Sequence, residues 1–486
     1  MPVRIAVASG LTALLVLLAL LRPVNHDESQ YVAAAVLVAQ GLLPYRDFAY
    51  LQTPLQSLLF APVVAIAGEW AWPALRVAGA LLGAAAVVAV HAAARAGGAG
   101  ARASLLTAGL FAVSDTFLFG VGVVRNDALP VALFAAALIP IMRAERGDAT
   151  RTTALLAGLL LAAAAAAKVS YAVPAAAYGL YTLVRPSHRP GFVLLGAAAA
   201  TGLTAWTWWL SPEGFAFGVL DYPNRGPAEY YADRPWKMSY AAKAIDTAKF
   251  LALGATLPLA AWVAIHGKGR RPGALKLLVV AGVATALLPF PTWRQYLVPI
   301  LPPLFVLAAV CLTGRRPARG WRAAIAVFAT AGVAYSVGTL FVGMPFPEAM
   351  RQSAALGRAL DAARVIGRVA TLAPQFLPAA GAAIHPAYAA GPFYFRSATL
   401  LDDAAERRLT LVSHARPRLD GVGAVVVGAE ARVVSGNDAV DAALAEVARD
   451  AGWREAAVPG SRFRLFTPSI TLPPGALPIS AARNRP

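Results

Sequence analysis

Long runs of apolar residues, separated by short polar or basic stretches, dominate this 486-residue chain up to about residue 345. Runs of about 17 to 22 residues have the length that a helix needs to cross a bilayer. They lie at 3–22, 74–94, 102–121, 126–142, 152–167, 169–184, 191–210, 245–265, 273–290, 295–313 and 321–343. The pattern predicts a polytopic membrane protein with about eleven transmembrane helices.

Two stretches of this pattern decide the topology. The run 152–184 would be about 50 Å long as one helix, against a hydrocarbon core of about 30 Å. We therefore predict two crossings joined by a tight turn at Lys168 and Ser170. The stretch 54–68 is apolar but short and contains two prolines. It is predicted to be re-entrant or surface-lying, because only then do all the basic loops lie on one side.

Those basic loops set the orientation. Cytoplasmic loops carry an excess of Lys and Arg, so the predicted cytoplasmic side also holds the N-terminus. The loops 23–73 and 211–244, and everything after about 344, are then extracytoplasmic, and the inner (plasma) membrane is the expected location. The basic positions are Arg95, Arg102, Arg143, Arg146, Arg151, Arg185, Arg189, Lys268, Arg270, Arg271, Arg315, Arg316, Arg319 and Arg322.

Composition supports the membrane class and excludes others. Hydrophobic residues make up 58% of the chain and charged residues 14%, whereas soluble domains average about 25% charged. A formal charge of +18 could indicate nucleic acid, but the arginines lie in short loops between apolar runs, so we expect no nucleic-acid partner. The single cysteine, Cys311, excludes an intramolecular disulfide and a cysteine metal cluster.

The tail at 346–486 has a different pattern, with more charge and shorter apolar runs. It predicts a small soluble α/β domain with strands at 409–412, 424–427 and 462–466 and a helix at 437–451. The predicted fold class is thus an all-α polytopic membrane protein, residues 1–345, with a small C-terminal α/β domain. The tail contains no recognisable catalytic constellation, so we expect a structural or acceptor-positioning role.

The candidate catalytic residues are charged residues that lie beside the apolar runs. Asp27 and Glu28 directly follow the first run, and Arg125 and Asp127 return to the same predicted face. Charged groups at membrane depth are rare and usually functional. The alternative is a solvated helix end, with Asp27 as the N-cap of the next helix.

Several motifs, in this order and spacing between the crossings, resemble the GT-C membrane glycosyltransferases. The closest branch is the bacterial group similar to the protein O-mannosyltransferases and the lipid A aminoarabinose transferases, and the resemblance covers about residues 1–345. The tail matches no pattern of the family. The motifs are Asp27-Glu28 with Tyr31, Pro44-Tyr45-Arg46-Asp47 before Thr53-Pro54, Arg125 with Asp127, Lys168, and Arg294-Gln295-Tyr296.

The resemblance implies transfer of a sugar from a polyprenyl-phosphate donor to an envelope lipid, glycan or protein, with inversion. Asp27 would be the general base that takes the acceptor proton, with Glu28 and Asp127 as electrostatic partners. A growing phosphate charge requires fixed cations or a metal. The predicted donor-binding residues are Lys168, Arg294, Tyr296, Arg125, Arg46 and Asp47.

Other interpretations stay open at this point. Lys168 could be a snorkelling lysine, and Arg294 an interfacial anchor beside aromatic residues. Carboxylates suit magnesium or manganese, but family members work with or without a metal, so no metal is assigned and no cofactor besides the lipid-linked donor is predicted. A transporter or flippase, which would be expected to show repeated halves, and a non-catalytic scaffold are the rival functions.

Overall fold

The computed structural model describes residues 2–267, 272–429 and 439–469. Most of the described residues before 339 lie in helices, whose apolar side chains pack against one another. The first ten are α1 Pro2–Leu21, α2 Glu28–Ala39, α3 Leu55–Ala67, α4 Ala71–Ala96, α5 Ala101–Ala112, α6 Asp115–Val121, α7 Ala128–Glu145, α8 Arg151–Ala167, α9 Ala172–Leu183 and α10 Pro190–Leu210. The next seven are α11 Pro212–Ala216, α12 Tyr222–Tyr230, α13 Tyr240–Ala252, α14 Thr256–His266, α15 Gly273–Leu287, α16 Leu301–Leu312 and α17 Arg319–Gly338.

Each of the eleven predicted crossings coincides with one of these helices or with a bent pair. By length and composition, five helical stretches of the described residues could cross a bilayer, and up to seven if each bent pair is one span. The bends are 64° between α5 and α6 and 91° between α13 and α14. The multi-pass class is confirmed, and the full count of eleven stays a prediction.

The predicted turn at Lys168 is present. Helix α8 ends at Ala167, Lys168 is extended, and a single helical turn, Val169–Tyr171, leads into α9. At the far end of this hairpin, the Tyr181 hydroxyl donates to Glu145 Oε1 at 2.6 Å and Arg189 Nε donates to the Ala149 carbonyl at 2.7 Å. The two helices therefore run antiparallel.

The stretch 54–68 contains the short helix α3. Leu55, at the start of α3, packs with Leu129 and Ala167 beside the turn after α8. The other end of α3 breaks at Gly68, which has a φ of 55°, and leads directly to α4. Thirteen residues span only about 20 Å, less than a hydrocarbon core of about 30 Å, while the continuous helical stretch Leu55–Ala96 is long enough to cross a bilayer. The re-entrant or surface-lying interpretation of 54–68 therefore stays a prediction.

The basic loops meet at the opposite end of the bundle. The Gly100 amide donates to Thr313 Oγ1 at 2.9 Å, and the amide of Ala274 donates to Glu145 at 2.8 Å. Arg315 donates to the His266 carbonyl at 3.0 Å. The predicted clustering of basic loops at one end is therefore present, while Lys268, Arg270 and Arg271 lie outside the described residues.

The tail forms the α/β unit that the sequence predicts. Its sheet has the order β2-β1-β3-β5-β4, with β1 parallel to β2 and β3, and β5 antiparallel to β3 and β4. Helix α21 packs on β3. The elements are α18 Phe346–Ala362, β1 Arg368–Ala370, β2 Ala383–Ile384, α19 Pro392–Phe395, α20 Asp403–Arg408, β3 Val422–Val427, α21 Ala439–Asp450, β4 Arg454–Ala457 and β5 Arg464–Thr467.

One predicted strand of the tail is wrong. Residues 409–412 are not in the sheet: Thr410 has a φ of 54°, and the Leu411 amide bonds back to the Glu406 carbonyl of α20. Leu411 and Val412 are nonetheless buried: Leu411 belongs to a cluster with Tyr394 of α19, and Val412 belongs to a cluster with residues of β3 and α21. The strands predicted at 424–427 and 462–466 are confirmed within one or two residues. The helix predicted at 437–451 is confirmed over α21, and Asn437 lies outside the described residues.

The tail packs on the end of the bundle that contains Asp27. Trp72 of α4 contacts Phe346 and Phe376 edge-on, with ring centroids 5.0 and 5.1 Å apart. Val32 of α2 and Ala424 of β3 belong to the same hydrophobic cluster. This shared core holds the tail against the end of the bundle at which α1 ends.

Candidate active site

A cavity of about 330 Å³ lies between the Asp27 end of the bundle and the tail. Its wall is built from the turn before α2, the residues before α7, the turn after α8, helix α12, the segment before α16 and the residues around α19. Of the predicted site residues, five line it: Asp27, Arg125, Lys168, Arg294 and Tyr296. The structure thus brings together side chains separated by more than 260 positions in the sequence.

Asp27 reaches the cavity with part of its carboxylate. The residue precedes α2, and its amide donates to Asn25 Oδ1 at 3.0 Å, which fixes the turn. One carboxylate oxygen pairs with Arg125, and the other lies 3.2 Å from His26 Nε2. The side chain is 15% exposed, so a carboxylate held in one orientation still faces open space.

Behind Asp27 lies a buried carboxylate that holds two cations. Arg125 Nε lies 3.1 Å from one oxygen of Asp127, and Lys168 pairs with the other oxygen. Asp127 is 1% exposed and does not line the cavity. Arg125 therefore bridges the two acids, Asp27 and Asp127.

Arg294 is held in a similar way by an acid that the sequence analysis did not single out. Its Nη1 lies 2.7 Å from Asp115 Oδ2, and Ser336 donates to the other oxygen at 2.7 Å. The guanidinium lies 3.6 Å from the ring centroid of Phe119. Asp115 was missed because it lies within a predicted apolar crossing, and its intramembrane charge was the available signal.

Glu28, in contrast, faces away from the cavity. Its carboxylate is fully buried and accepts hydrogen bonds from Arg76, from the Trp72 indole at 2.9 Å and from the Val124 amide at 3.1 Å. Each of these partners joins α2 to α4 or to the residues before α7. The geometry gives Glu28 a structural role, and the catalytic role predicted for it is not part of the function proposed below.

Arg46 and Asp47 also lie outside the cavity. Their side chains pair with one another at 2.7 Å on the surface, and Asp47 accepts from the Leu43 amide at 2.8 Å. The hydrogen bond from Arg46 holds the pKa of Asp47 below its ordinary value. The pair closes a local turn, so the direct substrate contact predicted for these residues is not retained.

The cavity contains polar residues that the sequence analysis did not name. Asn126 donates to Gln52 at 2.6 Å and accepts from the Tyr31 hydroxyl at 3.0 Å. These hydrogen bonds join the residues before α7 to the loop before α3 and to α2. Phe393 and Arg396 reach the cavity from the tail. The tail residues had no sequence signal, because nothing in their pattern predicts that they meet helices more than 350 positions earlier.

The carboxylates do not assemble as a metal site in the part of the chain that the structure describes. Asp27, Glu28 and Asp127 each face a different cation or cation pair, and no group of three potential ligands is gathered among those residues. Their oxygens are engaged by arginine and lysine side chains. The arrangement balances charge with protein cations.

Solved structures of other proteins share this architecture. ArnT from Cupriavidus metallidurans, bound to undecaprenyl phosphate, is similar over 95% of this chain and 97% of that chain, with a TM-score of 0.64 and 15% identity. The archaeal oligosaccharyltransferase AglB from Archaeoglobus fulgidus, in complex with an inhibitory peptide and a dolichol-phosphate, is similar over 96% and 75%, with a TM-score of 0.51 and 12% identity.

This chain has the GT-C fold. No family model matches the sequence, and the curated proteins give no significant match, so the likeness is one of structure. The resemblance drawn from the sequence motifs is confirmed at the level of the fold. In this chain the cavity lies where the helical bundle meets the α/β tail.

Proposed function

We propose that the protein is a membrane glycosyltransferase that moves a sugar from a polyprenyl-phosphate donor to a hydroxyl acceptor in this cavity. One observation carries the proposal: a partly exposed carboxylate, Asp27, shares the cavity with the cations Arg125, Lys168 and Arg294. A carboxylate can remove the acceptor proton, and the cations can stabilise a phosphate leaving group. The fold is the one found in ArnT bound to undecaprenyl phosphate.

Asp27 acts as the general base. The acceptor oxygen attacks the anomeric carbon and gives its proton to the Asp27 carboxylate, while the bond from that carbon to the phosphate oxygen breaks and its electron pair stays on the phosphate. Double displacement would need a second carboxylate about 5 to 5.5 Å away as nucleophile, by analogy with hydrolases. The nearest acids, Glu28 and Asp127, are buried and do not line the cavity, which favours a single displacement with inversion.

Lys168, Arg294 and Arg125 bind the donor phosphate. Each is anchored by a carboxylate, so each cation is oriented before substrate arrives and needs no rearrangement during the reaction. Tyr296 lies beside them, with its ring centroid 5.8 Å from Lys168 Nζ. The carboxylates Asp127 and Asp115 thus act through the cations that they position.

The acceptor is proposed to be an envelope lipid, glycan or protein, reached on the extracytoplasmic side of the inner membrane. The placement rests on the basic loops, which gather at the end of the bundle opposite the cavity. The AglB structure of the same fold is a complex with an inhibitory peptide and a dolichol-phosphate, so a protein of this fold can bind a lipid carrier and a peptide at the same time.

Donor consumption by purified protein tests the proposal. The protein in nanodiscs is incubated with a panel of polyprenyl-phosphate sugars and membrane extract, and mass spectrometry follows loss of each donor. Parent protein is expected to discharge one donor class, and Asp27→Asn to reduce the rate by about 100-fold or more. Asp148→Asn, an exposed acid beyond α7 at the opposite end, is the matched control.

Normal donor consumption by folded Asp27→Asn would remove the catalytic assignment. Uptake of a solute into vesicles without any sugar donor would instead indicate a transporter. No change in any carrier or glycan with and without the protein would favour a scaffold.

A further inference from the structure

Arg396 lines the cavity and is an arginine with no role in the mechanism above. It directly follows the short helix α19, so Phe393 and Arg396 lie about one helical turn apart and both face the cavity. The Phe393 ring lies 5.6 Å from the His26 ring, and His26 is the neighbour of Asp27. An arginine of the tail is therefore positioned close to the proposed reaction centre.

Aromatic rings hold the guanidinium of Arg396 in place. Its Cζ lies 4.1 Å from the ring centroid of Tyr230 and 5.2 Å from that of Phe393. The backbone around it is tied to helix α12, because the Tyr222 hydroxyl donates to the Phe393 carbonyl at 2.6 Å and the Thr399 amide donates to Glu229 at 2.8 Å. The loop 211–244 and the tail together hold this side chain in position.

Arg396 differs from the other cavity cations in its charge balance. Arg125, Lys168 and Arg294 are three cations that contact three carboxylates, Asp27, Asp127 and Asp115. That cluster is neutral as a unit. Arg396 has no carboxylate within 4.0 Å among the described residues, and its Nε is buried without a hydrogen-bond partner there.

A buried donor without a partner costs about 1 to 3 kcal/mol, and an arginine presents a fork of N–H groups that fits phosphate. The phosphate of a sugar carrier gains negative charge when the sugar leaves. Since the three-cation cluster is already neutral, an excess positive charge for that phosphate can come from Arg396. An anion in the cavity would satisfy both its charge and its orphaned N–H.

We propose that Arg396 of the tail binds the phosphate of the polyprenyl carrier, which makes the tail part of the donor site. This rests on the proposed function for its biological meaning, but carrier binding can be measured without any transfer. An acceptor that carries a phosphate group would offer Arg396 the same hydrogen-bond acceptors and the same charge. The experiment therefore compares lipid-linked phosphate with free inorganic phosphate.

Binding of undecaprenyl phosphate to the full-length protein in nanodiscs is the direct test. Arg396→Gln is expected to raise the Kd about tenfold, which corresponds to about 1.4 kcal/mol. The matched control is Arg358→Gln, an exposed arginine on α18 that does not line the cavity, and it should bind as the parent does. Undecaprenol, which lacks the phosphate, should bind parent and Arg396→Gln equally.

Labelling of the unmodified chain keeps the proposal testable if Arg396→Gln does not fold. Undecaprenyl phosphate is expected to protect Arg396 from phenylglyoxal, as read by peptide mass spectrometry, and undecaprenol is not. A parental Kd in folded Arg396→Gln, or equal labelling with and without carrier, would overturn the proposal. Protection by inorganic phosphate alone would also overturn it, because the anion would then belong to another substrate. Absence of transfer by the parent protein, together with carrier binding that Arg396→Gln weakens, would contradict the function proposed above and leave this assignment intact.

Discussion

Two neighbouring regions contain the adjacent carboxylates Glu28 and Asp27, and they differ in whether the carboxylate is buried or faces the cavity. The Glu28 cluster, formed by Glu28, Trp72, Arg76 and Val124, is closed to solvent. The Glu28 carboxylate and the Arg76 side chain are both 0% exposed, and hydrogen bonds join α2 to α4 and to the residues before α7. The Asp27 cavity, one residue away, keeps a carboxylate oriented by Arg125 but open to about 330 Å³ of space.

The comparison shows what turns a charge into a functional group. Both carboxylate oxygens of Glu28 already accept hydrogen bonds from protein groups, so Glu28 stabilises packing and is not available to substrate. Asp27 lies at the edge of the same charge network and keeps a free approach. The following changes test this division, from the largest expected effect to the smallest.

Glu28→Ala is expected to be the most damaging change. Removal of the carboxylate leaves the Arg76 guanidinium buried without its counter-charge, which costs about 3 to 5 kcal/mol. Thermal unfolding in detergent and membrane abundance measure the loss, with the exposed Glu446→Ala on α21 as the control. A Glu28→Ala protein that folds normally but lacks transferase activity would break the comparison, since Glu28 would then be catalytic.

Lys168→Met should lower kcat about 100-fold, because it removes a preoriented cation from the proposed phosphate site. Asp127 keeps Arg125 as a partner, so the protein should still fold. Steady-state transfer kinetics provide the measurement. Lys276→Met, which removes an exposed lysine near the other end of the bundle, should retain parental kcat; equal rates in both variants would exclude Lys168 from the site.

Ser336→Ala should have a moderate effect through Asp115. The substitution removes the hydrogen bond of 2.7 Å that orients this carboxylate against Arg294, at a cost of about 1 kcal/mol. The expected result is a donor KM raised about fivefold with little change in kcat. Ser353→Ala is the control, because that buried serine donates to the Ala349 carbonyl of its own helix. A change in kcat alone would mean that Asp115 does not act through donor binding.

Asp47→Asn is expected to have the smallest effect and to leave transfer unchanged. Arg46 lowers the pKa of Asp47, so the pair stabilises the fold above the ordinary carboxylate pKa and loses that contribution as the pH falls through the folded value. A small loss in melting temperature at neutral pH should therefore shrink on acidification. Thermal melts across pH measure this, and a large loss of activity at neutral pH would return Asp47 to the substrate site.

The apolar pattern predicted most of the fold because it is a local property. Run length and loop charge predicted the helices, the turn at Lys168 and the common end of the basic loops. The strand at 409–412 was wrong because buried apolar residues such as Leu411 and Val412 look the same in sequence whether they lie in a strand or in a loop that packs against the sheet and its helices. The short strands β1 and β2 have too few residues to show a period.

The sequence by itself determined that Asp27, Asp127, Lys168 and Arg294 are charges beside membrane-length helices, since hydropathy and spacing are written residue by residue. Only the tertiary structure decided which of two adjacent acids faces the cavity, which cations Asp127 and Asp115 hold, and that Arg396 joins them from the tail. The physical reason is that charge balance and burial depend on side chains hundreds of positions apart, and packing alone brings these into contact.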